Sequence, residues 1–184
     1  MTSSGATNNY VSDRFCAPNS AIYLAKGYLT APPAAYFTGD FTVSFWMNLQ
    51  SYQTSSYLFI FGYNTVNSLG ISMVTTTRQL NVFTSSTSSF QTPSLINLKT
   101  WYQITFVLRD TLATVYLNGL QVATSTVSKP ASVTRALNYI GGPSIFAPDV
   151  IIDDFKIYSS PFTWSQVAQA YELSKKSPRK FLTN

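Results

Sequence analysis

Between residues 20 and 158 the apolar residues of this chain recur at every second position, in short runs separated by turn-forming residues. A period of two places successive side chains on opposite faces of a strand. The run Phe41-Thr42-Val43-Ser44-Phe45-Trp46-Met47-Asn48 is the plainest case, with Phe41, Val43, Phe45 and Met47 on one face and Thr42, Ser44, Trp46 and Asn48 on the other. The alternation predicts strands at 20–24 and 27–30 (a short pair), 40–48, 57–63, 69–74, 80–84, 101–109, 113–118, 121–127, 136–141 and 150–158. The continuous apolar run 57–63 marks a central strand covered on both faces. Turns punctuate the series: Thr76-Thr77-Arg78, Asp110-Thr111, and Asn118-Gly119, a pair suited to the type I′ hairpin turn. Loops are expected at 51–56, 64–68, 85–93, 128–134 and 142–149, with the Ser/Thr-rich 85–89 flexible. Many short strands with regular turns make an all-β fold, a sandwich or jelly roll.

One helix interrupts the pattern, from Thr163 to about Tyr171. Thr163 can cap it and Gln166 completes a capping box. Trp164, Val167, Ala168 and Tyr171 fall on one face, which is expected to seal the sandwich. Trp46, Trp101 and Trp164 are assigned to structure.

The chain of 184 residues suits one domain. Charged residues make up only 10%, so the polar surface must come from hydroxyls, amides and tyrosines. Net charge is +5, but Lys175, Lys176, Arg179 and Lys180 cluster near the end and leave +1 on the body. Residues 175–184 therefore read as a basic flexible tail, and 1–12 as a flexible leading segment. No interleaved basic and aromatic pattern calls for nucleic acid. No apolar run is long enough to insert in a bilayer, and Met1-Thr2-Ser3-Ser4-Gly5-Ala6-Thr7 lacks the apolar stretch of a signal peptide. Cys16 is the single cysteine, expected as a buried free thiol without an internal disulfide partner.

Histidine is absent, which removes Ser-His-Asp and Cys-His nucleophiles and histidine-bound zinc. Glycoside hydrolysis usually needs two carboxylates flanking one bond. The adjacent acids Asp153 and Asp154 in the strand 150–158 cannot do this, because neighbours in a strand point to opposite faces. By alternation Asp153 shares the core face with Phe155 and Ile157, and Asp154 shares the other with Lys156 and Tyr158. An inward carboxylate needs a partner. Backbone amides or Arg14 could supply it, or Asp153 could be a metal ligand. The residue pattern thus points away from an enzyme.

Four phrases resemble laminin-G-like, concanavalin-type jelly-roll domains of the lectin/glucanase superfamily. Asp13-Arg14-Phe15-Cys16-Ala17-Pro18-Asn19-Ser20-Ala21 is similar to their opening, although Cys16 stands where glycine is expected. Phe41-Thr42-Val43-Ser44-Phe45-Trp46-Met47 resembles their first long strand. Trp101-Tyr102-Gln103-Ile104-Thr105-Phe106 through Tyr116-Leu117-Asn118-Gly119 resembles their central hairpin, and Ile152-Asp153-Asp154-Phe155-Lys156-Ile157-Tyr158 their closing strand. The resemblance implies a two-sheet antiparallel jelly-roll sandwich with one short C-terminal helix, spanning 13–174. It implies a non-catalytic recognition or adhesion module, extracellular or on a cell surface as a domain of a longer precursor, binding a glycan or an extracellular protein. An assembly subunit of a surface, viral or adhesive array is the alternative, and a hydrolase relative a remoter one. Oligomeric state is not readable. The resemblance also implies one structural Ca2+ on Asp153, completed by backbone oxygens near the opening segment or Gly39-Asp40. For ligand contact, loop aromatics that can stack on sugar rings and polar groups beside them are the candidates: Tyr52, Tyr57, Tyr63, Asn64, Asn67, Phe90, Phe146 and Asp149.

Overall fold

The alternation becomes strands that bury one face against another. The computed structural model describes residues 2–5, 8–53 and 55–176. In chain order these form strands β1 (Thr2–Gly5), β2 (Asn8–Val11), β3 (Ala21–Ala25), β4 (Gly27–Ala31), β5 (Phe41–Ser51), β6 (Ser56–Phe61), β7 (Leu69–Val74), β8 (Gln79–Ser85), β9 (Ser88–Gln91), β10 (Trp101–Arg109), β11 (Leu112–Leu117), β12 (Leu120–Thr126), β13 (Asn138–Gly141) and β14 (Asp149–Tyr158). Helix α1 covers Trp164–Ser174. The strands make two antiparallel sheets. The front sheet runs β1-β4-β13-β6-β7-β8-β9 and the back sheet β12-β11-β10-β5-β14-β3-β2. This is the jelly-roll sandwich.

Register explains the core. Phe41, Val43, Phe45 and Met47 of β5 stand opposite Leu108, Phe106, Ile104 and Tyr102 of β10. All eight point inward, and they meet Phe59, Phe61, Leu69 and Ile71 of the front sheet in one apolar cluster. The rings of Phe37, Phe41, Phe61 and Phe106 pack edge to face or tilted across the sheets, with centroids 4.7 to 5.4 Å apart. The hairpin at Asn118-Gly119 has positive φ at both residues, 53° and 78°, as a type I′ turn requires.

Several expectations change. The strands β3 and β4 do not pair with each other. They lie in different sheets. A single residue, Lys26 at φ 58°, joins them, too short a link for a hairpin, and it turns the chain from the back sheet to the front. The leading segment 1–12, expected to be flexible, carries β1 and β2, which pair with β4 and β3. The 85–93 loop contains β9, which pairs back on β8. Cys16 is exposed, not buried. Its φ of 61° keeps the left-handed backbone that a glycine would have allowed there.

The helix is capped by Thr163 and Gln166 as the sequence implies. It lies on the outer face of the back sheet instead of closing the gap between sheets. Val167 is the residue it buries, against Val107 and Tyr116. Trp164 remains 63% exposed. Tyr171 stacks on Trp46 at 5.9 Å and crosses Gly119 so closely that a Cβ there would lie 2.9 Å from the ring. Of the tail 175–184, Lys175 closes the helix and pairs with Glu172 at 2.7 Å. The expectation for 177–184 lies outside the described residues. No helix among the described residues is long and apolar enough to cross a membrane.

Candidate ligand-binding face and the Arg14 clasp

Asp13 folds the opening loop on itself: its carboxylate accepts the amides of Phe15 and Ala17 at 2.8 and 2.9 Å. This aims Arg14 at the closing strand. Arg14 Nη1 donates to Asp153 Oδ2, and Nη2 donates to Asp154 Oδ2 at 2.9 Å. Nε and Nη2 also donate to the carbonyl of Ser174, at 3.2 and 3.0 Å, at the end of α1. The guanidinium lies 4.6 Å over Phe15 and 4.7 Å over Trp46.

Both acids reach one arginine because β14 is irregular between Asp153 and Lys156. Asp154 sits at φ 53° and forms a bulge. Asp153 stands opposite Trp46, on the outer face, while Phe155 beyond the bulge stacks on Phe45 in the core. Asp153 therefore does not share the core face with Phe155 and Ile157, as strict alternation implied. Burial, joined by the charge of Asp154, pushes the Asp153 carboxyl up against the pull of Arg14. Burial also acts on Asp154, but hydrogen bonds from Arg14 and Lys156 outweigh it and hold that carboxyl down.

The calcium expectation does not fit this arrangement. A dication on Asp153 would sit against a guanidinium that already holds Oδ2, packs on two rings and is fixed to Ser174. Among the described residues, no group of three or more His, Cys, Asp or Glu gathers as a metal site.

The outer face of the front sheet carries different chemistry. Tyr28 of β4 meets Tyr139 of β13 at 4.8 Å, and Tyr139 meets Tyr63 at 5.9 Å. Tyr63 in turn meets Tyr57 of β6 at 6.4 Å. Tyr57 touches Phe146 at 5.3 Å and Phe83 of β8 at 5.9 Å. The row is continuous across four strands and two loops, and its tyrosines are all half-buried. Burial raises the phenols of Tyr57 and Tyr139, so both remain neutral hydroxyl donors well above neutral pH. At its end lies a shallow pocket of about 330 Å³ lined by Tyr57, Phe83, Ser68, Ser72, Asn81 and Ser89. Gly70 stands opposite Phe83 on the neighbouring strand, and a Cβ there would lie 2.8 Å from the Phe83 ring.

Of the expected ligand residues, this face gathers Tyr57, Tyr63 and Phe146. Asn64 and Asn67 lie in the loop that follows Tyr63. Asn64 is exposed, and the Asn67 carbonyl is taken by Arg135 at 2.9 Å. The others lie elsewhere. Tyr52 packs on the core and donates to the Ile96 carbonyl at 2.8 Å. Phe90 packs inward opposite Val82. Asp149 is held by Tyr23 at 2.6 Å and by Ser51, on the back sheet. Tyr28, Tyr139, Phe83, Ser72 and Asn81 were not foreseen. The signal for Phe83 was Gly70, a glycine inside an apolar strand. Tyr28 and Tyr139 gave none until sheet order placed them side by side.

A family model described as the Concanavalin A-like lectin/glucanases superfamily matches residues 25–168. No curated protein sequence matches the chain. Among solved structures, domain 4 of AbnA, a GH43 extracellular arabinanase from Geobacillus stearothermophilus in complex with arabinotriose, aligns at TM-score 0.72 and 20% identity. That alignment covers 90% of this chain and 81% of the other. Trypanosoma rangeli sialidase in complex with sialic acid aligns at TM-score 0.72 and 18% identity over 94% of this chain. The chain spans only 30% of that sialidase. The binding domain of Paraclostridial Mosquitocidal Protein 1 aligns at TM-score 0.68 and 16% identity, over 94% of this chain and 47% of the other. At these identities the likeness is one of fold.

Proposed function

We propose that this chain, which belongs to the Concanavalin A-like lectin/glucanases superfamily, is a non-catalytic module that binds a neutral glycan on the outer face of its front sheet. The carrying observation is the unbroken row of rings from Tyr28 through Tyr139 and Tyr63 to Tyr57 and Phe146. Aromatic faces stack on the apolar faces of sugar rings, and the serines and Asn81 beside them match hydroxyls. The pocket lining contains no charged side chain. An acidic sugar would call for arginine there, so neutral residues fit better. The same lining holds no carboxylate, and glycoside hydrolysis needs a pair of them flanking the bond. That supports binding without cleavage. An extracellular or cell-surface setting, as part of a longer precursor, is the natural place for such a module.

The test is a panel of neutral and sialylated oligosaccharides with the wild type, Tyr57→Ala and Tyr139→Ala. Binding should be confined to neutral sugars and should fall roughly tenfold or more in each variant, the loss of about one stacked ring. A wild type that binds only sialylated sugars, or variants that bind as well as the wild type, would remove this face from consideration.

A further inference from the structure

β14 is paired on both sides over only four of its ten residues. One edge bonds to β5 from Asp149 to Tyr158. The other bonds to β3 only from Asp149 to Ile152. Beyond that point the chain leading into β3 has left the sheet line. The Ser20 amide bonds back to the Val11 carbonyl, and the 13–17 turn carries Arg14 over the outer face. Among the described residues, no strand therefore lies beside the free edge of 155–158.

The same stretch leaves a gap in the sandwich wall. Phe155 and Ile157 point inward but stay half-buried. Beneath them an apolar cleft of about 390 Å³ opens onto Tyr36, Phe61 and Ile140. A second hollow of about 250 Å³ shares Phe155 and Ile140 and continues past Leu29 to Asp154. An open backbone edge and an apolar trough thus run side by side, in line with β3.

We propose that this slot receives an extended peptide segment from a partner protein, apolar at alternate positions, which adds to the back sheet beside 155–158. Strand addition satisfies both features at once: the peptide's backbone pairs with the open edge, and every second side chain drops into the trough. An acyl chain would cover the trough but leave the row of amides and carbonyls without partners. A second copy of this chain is disfavoured by geometry. Two such edges paired about a twofold axis would bring the two Lys156 side chains together near its centre, and like charges across a strand pair are repulsive.

The experiment uses the whole chain and a short synthetic peptide of alternating Thr and Val, beside the same peptide N-methylated at every second amide. Amide hydrogen exchange is followed residue by residue by NMR. The outward-facing amides within 155–158 should slow roughly tenfold or more with the plain peptide, and not with the N-methylated one. No slowing at saturating peptide overturns the proposal. So does equal slowing by the N-methylated peptide or by decanoate, which would make the cleft a purely apolar site. Slowing on raising the protein concentration alone would make a second copy the occupant and overturn the peptide. Sugar binding on the opposite sheet is unaffected by any of these outcomes, so the two readings stand or fall separately.

Discussion

Arg14 holds three partners that cannot replace it for one another: the paired acids of β14, the last carbonyl of α1, and the face of Trp46. Only a planar fork with five donors does this. Its side chain is 9% exposed and that of Asp153 11%, so removing the arginine strands a carboxylate out of water. Arg14→Ala should lower stability by about 3 kcal/mol in urea unfolding, and Arg14→Lys should recover part of that because an ammonium cannot fork. A loss below about 1 kcal/mol would place the ion pair among inconsequential surface contacts. At this scale the sequence was informative up to a point. Two adjacent acids in an apolar strand demanded a partner, and Arg14 was among the candidates. The side on which Asp153 lies was not legible. A bulge at one residue, Asp154, reverses the parity of everything after it, and no feature of the side-chain pattern announces it.

Between α1 and the back sheet the narrowest fit is a glycine under a ring. Gly119 combines φ 78° with a Tyr171 ring where its Cβ would be. Gly119→Ala should therefore cost about 2 kcal/mol through turn strain and overpacking together. It should also loosen the helix, read as a loss of the near-ultraviolet circular dichroism of the Trp46–Tyr171 stack. An unchanged spectrum would show that the Trp46–Tyr171 stack survives and that the close fit at Gly119 is not what seats the helix. The elements themselves were mostly readable: the Thr163–Gln166 capping box, the Asn118-Gly119 hairpin and the alternating runs all reported local chemistry. What failed was knowledge of neighbours. Trp164 has the right helical spacing for burial, but spacing does not say which turns of a helix a neighbour will cover. The strands β3 and β4 follow each other in sequence, but a one-residue link sends them to opposite sheets.

For the molecule as a whole, two seven-stranded sheets follow from the pattern once the order of strands is known. The proposed ligand face does not, because Tyr28, Tyr57, Tyr63 and Tyr139 come together only through the adjacency of β4, β13 and β6. The chain ends of the fold are tied by the Arg14–Asp153 ion pair at the place where the resemblance implied a cation, and we propose that the pair does this without one. Millimolar calcium, or its removal by a chelator, should accordingly leave the Tm of the wild type within about 1 °C. A calcium-dependent rise of about 5 °C or more would restore a metal site.

The clasp at Arg14 also has a consequence in time. Its hydrogen bonds span 139 to 160 residues of sequence, so closing them requires nearly the whole sandwich to be in place. We expect such contacts to form after the rate-limiting step, so that removing them changes escape more than arrival. In Arg14→Ala the folding arm of the chevron should barely move, while unfolding quickens by about a hundredfold for the same 3 kcal/mol. The arginine is then a brake: it governs how long the native state lasts, not how fast it is reached.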